Sequence, residues 1–160
     1  METPLLIDQA LLDTVTGEAR DSPRLRKNRN FHEDDSALAH RLLNAIEPGS
    51  YLAPHRHLDV NKDETITVLR GRLAVLFFDD DGNIRQTVAM SPLGGVCGVN
   101  IPHGVYHTVL ALDSGTVMLE AKAGPYRPLA EGERAPWAPA EGDLEALAYA
   151  QALSDRFAGG

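Results

Sequence analysis

The sequence predicts a mainly β fold, an antiparallel sandwich or barrel, with a short helix at each end. Three observations carry that prediction. From about Arg41 onward, short β-prone runs recur at even spacing, separated by turns rich in glycine, proline and aspartate. Runs so short and so closely joined fit an antiparallel sheet better than a parallel one, whose strands need long crossover connections. Helical periodicity is confined to residues 5–20 and Leu144–Phe157.

The elements follow in chain order. Residues 5–20 carry Ile7, Ala10, Leu11 and Val15 at three- and four-residue spacing with Asp8 near the start, which predicts an amphipathic helix stopped by Pro23. Arg24, Arg26, Lys27 and Arg29 then fall within six residues of an otherwise acidic chain. Two readings of this segment stand: a solvated basic loop, or a wall over a pocket where arginine forks meet an anionic ligand. Strands are expected at Arg41–Glu47, Tyr51–Leu58, Glu64–Leu69, Leu73–Phe78, Ile84–Met90, Val96–Ile101, Val105–Leu112 and Thr116–Lys122. Asp79-Asp80-Asp81-Gly82-Asn83 reads as a hairpin loop. Calcium is rejected there, because the glycine is misplaced and Met90 stands where a bidentate glutamate belongs. Residues 124–142 contain Pro125, Pro128, Pro136 and Pro139 and read as an irregular surface strap. The closing helix is expected to start at Asp143 as N-cap, with Leu144, Leu147, Ala148 and Phe157 near one face.

A chain of 160 residues supports one domain with a real core. Its expected organisation is a helix and basic segment (1–40) packing on a β-barrel (41–123), closed by a strap and helix (124–160). The net charge of −8 argues against nucleic acid or an anionic membrane as partner. Cys97 is the single cysteine, so no intramolecular disulfide can form, and no apolar run reaches the length of a membrane span. The start Met1-Glu2-Thr3-Pro4 lacks the pattern of a signal peptide, and a cytoplasmic setting is the expectation.

The chemistry concentrates between Gly49 and Gly71. His55 and His57 are separated by one residue, so on a strand both side chains point to one face. Glu64 follows at the start of the next strand, and His107 comes after a turn at Pro102–Gly104. Neutral imidazoles with one carboxylate suit a divalent transition metal such as Zn, Fe, Mn, Ni or Co. His103 is expected to be exposed or to support a ligand from behind, His32 and His40 to be ordinary histidines, Tyr106 to pack outward and Cys97 to be a small core residue.

These residues resemble the two motifs of the cupin superfamily. Gly49, His55, His57, Glu64 and Gly71 match the first, and Pro102, Gly104 and His107 match the second. The chain departs from the pattern in three places. The gap between His57 and Glu64 is six residues where three or four are usual, Ala111 replaces a terminal asparagine, and no glycine precedes Pro102 at the expected spacing. In the long gap Asp59 and Asp63 stand as alternatives to Glu64. More narrowly, the chain is similar to WbuC-type cupin metalloproteins, through residues 22–28, Pro54–His57, Lys62–Thr65 and Ala135–Pro139. The resemblance implies a double-stranded β-helix, or jelly roll, with one metal ion held by His55, His57, Glu64 and His107. It further implies a homodimer and a link to bacterial surface-polysaccharide metabolism.

Three function classes follow: a metal-dependent isomerase, epimerase, hydrolase or oxygenase, a metal-dependent module that binds or senses a small ligand, and a barrel whose metal is only a staple. The enzyme reading leads, with a small anionic or carbohydrate-derived substrate contacted by Arg24, Lys27, Arg41 or Asn44. Arg41 and Asn44 cannot both face inward on a regular strand, since their positions differ by three.

Overall fold

The computed structural model describes residues 3–158. Eight strands form two antiparallel sheets: β1 (Arg26–Asn30), β2 (Ala39–Ile46), β3 (Glu64–Arg70), β4 (Leu73–Phe78), β5 (Ile84–Met90), β6 (Gly98–Ile101), β7 (Tyr106–Ala111) and β8 (Thr116–Ala123). One sheet has the order β1-β2-β8-β3-β6 and the other β5-β4-β7. Helix α1 (Gln9–Asp21) precedes them, and α2 (Ala146–Ser154) follows with short 3₁₀ turns at Glu131–Glu133 and Asp155–Phe157. This is the jelly-roll barrel with terminal helices that the strand spacing and the two histidine motifs predict.

Side-chain alternation builds three layers from these strands. Ile46, Ile66, Val68, Leu73, Val75, Met90, Val109, Ala111 and Met118 point between the sheets and form the core. Leu43, Ala45 and Val117 point out of the larger sheet and are covered by Leu12, Val15 and Ala19 of α1. Ala74, Leu76, Phe78, Tyr106 and Leu110 point out of the smaller sheet and are covered by Ala135 and Trp137 of the strap and Leu153 of α2. Both faces of both sheets are therefore buried where these elements lie, and strands such as β7 are buried at every residue.

Two glycines serve close approaches. Gly71 has φ +77°, and a Cβ there would stand 2.8 Å from Thr116 Cα. Gly82, at φ +86° in the hairpin loop, lets the Trp137 ring lie against it; a Cβ would come within 2.6 Å of Cδ2.

Several expectations are corrected. The basic segment is not a loop: Arg26–Asn30 pairs in register with Asn30↔Leu42 through Arg26↔Ile46, so the sheet begins well before residue 41. Residues 51–58 are not a strand. His55 makes single bridges to His107 and Arg134, because Pro54 supplies no N–H and the chain passes between β7 and the strap instead of along either. Helix α1 buries Leu12, Val15, Thr16 and Ala19 and leaves Ile7 exposed, with Asp8 as N-cap accepting from Leu11 N at 2.9 Å. Helix α2 starts later than expected and buries Ala146, Ala150 and Leu153, whereas Leu144 and Leu147 are exposed. Asp143 accepts from Ala140 N in the turn before the helix. Cys97 is exposed.

Candidate metal centre and its cavity

His55 and His57 flank Arg56 on an extended segment pinned from both sides. His55 N donates to His107 O at 3.1 Å and His107 N to His55 O at 2.9 Å, while Arg56 N donates to Glu133 O and Gly104 N to His57 O. Arg56 leaves on the other side, its guanidinium 4.3 Å over the Tyr106 ring. The two imidazoles thus share a side, as alternation requires. Glu64 opens β3 with inward parity, and His107 sits one residue into β7, paired with Phe77 of β4.

Donor atoms of His55, His57 and Glu64 all lie within 4.8 Å of one another, a cluster able to hold a metal ion. Glu64 Oε2 is 3.2 Å from His57 Nε2 and 3.6 Å from His107 Nε2, and the His55 and His107 rings are 4.7 Å apart. His107 therefore borders the three-residue cluster. Asp59 and Asp63 do not approach it: Asp59 accepts from Asn61, and Asp63 accepts from His103 N and contacts His103 Nδ1, both at 2.9 Å.

The donor set fits a metal in its hydrogen bonding as well as its position. His55 Nδ1 lies 3.1 Å from Ala53 O, and His107 Nδ1 lies 2.9 Å from Val105 O. An Nδ1–H donating to a carbonyl fixes the tautomer and leaves Nε2 with its lone pair toward the cluster, the outer support that metal-binding histidines use. Burial, with His107 close by, lowers the His55 pKa to about 3, so this ring is neutral at any ordinary pH. Burial works against ionisation of Glu64, but the adjoining His107 and His57 hold its carboxyl well below the usual range. Burial also opposes protonation of His107, and Glu64 outweighs it, raising the imidazole.

The cluster opens on a cavity of about 680 Å³, within the range of small-ligand sites. The inward parity of β1, β2 and β8 lines it with Asn28, Asn30, His40, Asn44, Glu120 and Lys122, and with Leu42 and Met118 interleaved on the same strands. Ile66 of β3, with Val109 of the smaller sheet and Leu52, completes the apolar part of the lining. Glu120 is 4% exposed; Asn44 Nδ2 donates to its Oε2 at 2.8 Å, and its Oε1 lies 2.5 Å from Lys122 Nζ, an ion contact off hydrogen-bond alignment. Burial and the neighbouring Glu64 charge push the Glu120 carboxyl up. Burial disfavours the Lys122 charge, but Glu64 and Glu120 more than restore it, so the ammonium is retained.

The four residues expected at the substrate part company. Asn44 is buried and lines the cavity, held by Glu120. Arg24 lines the mouth, but its guanidinium grips Glu141 of the strap in a two-pronged pair at 2.7 and 2.8 Å, and Arg26 joins at 2.6 Å. Lys27 also borders the mouth, although its register opposite Ala45 gives it the parity of the α1 side. Arg41 is exposed and outside the cavity, because its parity is opposite to that of Leu42 and Asn44.

Sequence reasoning missed Lys122 and Glu120, and it treated His32 and His40 as ordinary. Those two rings are buried, stack at 3.9 Å and line the cavity. Tyr106 points outward as expected, yet is buried beneath the strap against Trp137. The available signal for the acidic and basic pair was charge at every second position of β8.

Among curated proteins none matches the sequence. Many solved structures are similar. A Bacillus halodurans protein has a TM-score of 0.53 at 17% identity, covering 82% of this chain and 89% of its own. An oxalate oxidase in complex with the substrate analogue glycolate has a TM-score of 0.52 at 16% identity, covering 87% and 75%. A cupin-2 domain protein from Shewanella frigidimarina has a TM-score of 0.45 at 21% identity, covering 61% and 79%. At these identities the first two likenesses show the fold. Among the described residues no helix is long and apolar enough to cross a membrane. A family described as a domain of unknown function (DUF6016) matches residues 7–90, more than half of the chain. The protein, a jelly roll with a histidine–glutamate cluster lining its cavity, belongs to that family.

Proposed function

We propose that this protein is a metal-dependent enzyme, an isomerase, epimerase or oxygenase acting on a small anionic or sugar-derived compound. His55, His57, Glu64 and His107 would hold one divalent transition metal ion, Zn, Fe, Mn or Ni. The observation that carries the reading is the opening of the cluster onto the 680 Å³ cavity. A structural metal site is closed by protein ligands, whereas a working one keeps a position for water or substrate. When bound, the ion supplies Lewis acidity or, as iron, redox chemistry with dioxygen.

The chain's own residues do the rest. Ala53 O and Val105 O orient the His55 and His107 rings. Leu52, Ile66, Val109 and Met118 exclude water from a bound ligand. Asn28, Asn30 and Asn44, on the inner face of the larger sheet, present amides to its hydroxyl groups. The basic residues at the mouth draw an anion toward a molecule that is negative overall. The likeness to WbuC-type cupins points to surface-polysaccharide metabolism as the source of the substrate.

Elemental analysis of untagged protein beside His57→Ala tests this reading. Stoichiometric transition metal in the wild type, lost in the variant, is the expected result. A wild type that takes up no metal on reconstitution, with stability unchanged in the variant, overturns it. Metal and ligand binding without turnover of any sugar acid would instead identify a binding or sensing module.

A further inference from the structure

Among the described residues four cations line the cavity, and three are otherwise committed: Arg24 and Arg26 grip Glu141, and Lys27 has the parity of the α1 side, which leaves Lys122. The sheet register puts it directly across from Glu64 on β3 and from His40 on β2. Its side chain is 23% exposed and lines the cavity. Glu120 and Asn44 brace it: Glu120 Oε1 approaches the ammonium while Asn44 fixes Oε2. An ammonium carries three donors, and the Glu120 contact does not use them up.

Charge points the same way. Metal binding requires neutral imidazoles and an ionised Glu64, and in that state, with Glu120 ionised beside Lys122, two carboxylates and one ammonium leave the inner cavity one unit negative. A divalent ion at the cluster turns this into one unit positive. A monoanionic ligand restores neutrality, which a low-dielectric cavity favours strongly.

We propose that Lys122 is the specificity-determining residue for a monoanionic substrate, its ammonium holding an anionic oxygen of a ligand bound at the metal centre. Glu120 and Asn44 are positioning residues that keep the ammonium in place. This rests on the metal-dependent reading above and narrows it: a carboxylate or enolate is selected over a neutral polyol of the same shape.

The test compares glycolate with ethylene glycol, its neutral counterpart, by calorimetric titration of metal-loaded protein. Lys122→Met alone leaves Glu120 as an unpaired buried charge, so the charge-neutral double variant Lys122→Met/Glu120→Gln is measured beside it, with thermal midpoints to report folding. Glycolate is expected to bind the wild type and ethylene glycol to bind far more weakly. Loss of the ammonium should weaken glycolate roughly tenfold to a hundredfold with metal content unchanged, as for a hydrogen bond to a charged group. Lys122→Arg, which keeps the cation, should recover part of that affinity. Full metal content with equal glycolate affinity in wild type and double variant overturns this inference alone, as does a metal-loaded wild type that ignores glycolate. Failure of the wild type to load metal overturns the parent reading and this one together.

Discussion

Two polar clusters, one half-buried under α1 and one buried in the cavity, are built on opposite terms. Where α1 meets the larger sheet, every group is matched. Arg70 donates to Asp13 Oδ1 at 2.6 Å, Thr16 Oγ1 at 2.8 Å, Leu12 O at 2.9 Å and Gly115 O at 3.2 Å. Beside it, Glu47 accepts from Ser114 Oγ and Gly115 N, and Arg20 Nε lies 3.3 Å away. A bulge between Val68 and Arg70 makes this possible: it turns a residue of inward parity out toward α1. In the cavity the terms are reversed. Glu64 and Glu120 adjoin with one ammonium between them, and His40 Nε2 and Glu120 Oε1 have no aligned hydrogen-bond partner. Buried polar groups with complete partners hold a fold together; an incomplete set marks the place where a ligand completes it.

The largest expected effect falls on the matched cluster. Arg70→Met should cost about 2–3 kcal/mol in denaturant unfolding, since it removes hydrogen bonds to two carbonyls and two side-chain acceptors that hold α1 to the sheet. Metal content should not change. A loss below about 1 kcal/mol would show that the network is incidental to stability, and the contrast with the cavity would dissolve.

The strap offers a second, smaller contrast. Glu141 is gripped by Arg24 and Arg26, and those guanidinia lower its carboxyl from 4.5 to about 2. A carboxyl whose folded pKa lies below its unfolded value adds stability that is present above pH 4.5 and lost as pH falls toward 2, because the unfolded chain binds the proton first. Stability curves over that window should be flatter in Glu141→Gln than in the wild type. The side chain is 38% exposed, so solvent limits the size of the effect. Parallel curves would mean that the strap is held by Tyr51 Oη donating to Pro139 O and by apolar packing instead.

How far the sequence reveals this molecule depends on which side of a strand is asked about. Strands β4 and β5 stand at the residues their β-prone runs predict, and His55, His57 and Glu64 converge as period-two alternation and the two motifs imply. The Lys122–Glu120 pair was invisible for a physical reason. In β8, Val117, Leu119 and Ala121 form an apolar parity, and Glu120 and Lys122 fall on the other, which reads as a solvent face. Helix α1 covers the apolar parity, so the charged parity is the interior. The same inversion hid Asn28 and Asn30 in a segment whose charge left open a solvated loop and a pocket wall. Helix α2 was misread because its buried face is made of Ala146 and Ala150, residues too small to dominate a periodic pattern, while Leu144 and Leu147 are exposed.

The smallest expected effect sharpens the contrast most. Glu120→Gln in protein stripped of metal removes a buried carboxylate that Asn44 and Lys122 touch, as Arg70→Met removes a half-buried guanidinium. Here the consequences oppose each other. The variant relieves repulsion from Glu64 and the burial cost of a second anion, its amide oxygen still accepts from Asn44, and Lys122 keeps Glu64 as a counter-charge. Against this stands the lost attraction between Glu120 and Lys122. Unfolding stability at neutral pH should therefore move by less than about 1 kcal/mol in either direction. A loss near 3 kcal/mol would place the cavity charges in the same class as the Arg70 network, a fastening of the barrel. A near-zero change would mean that the carboxylate is retained for what it does to Lys122, and so for the ligand that Lys122 meets.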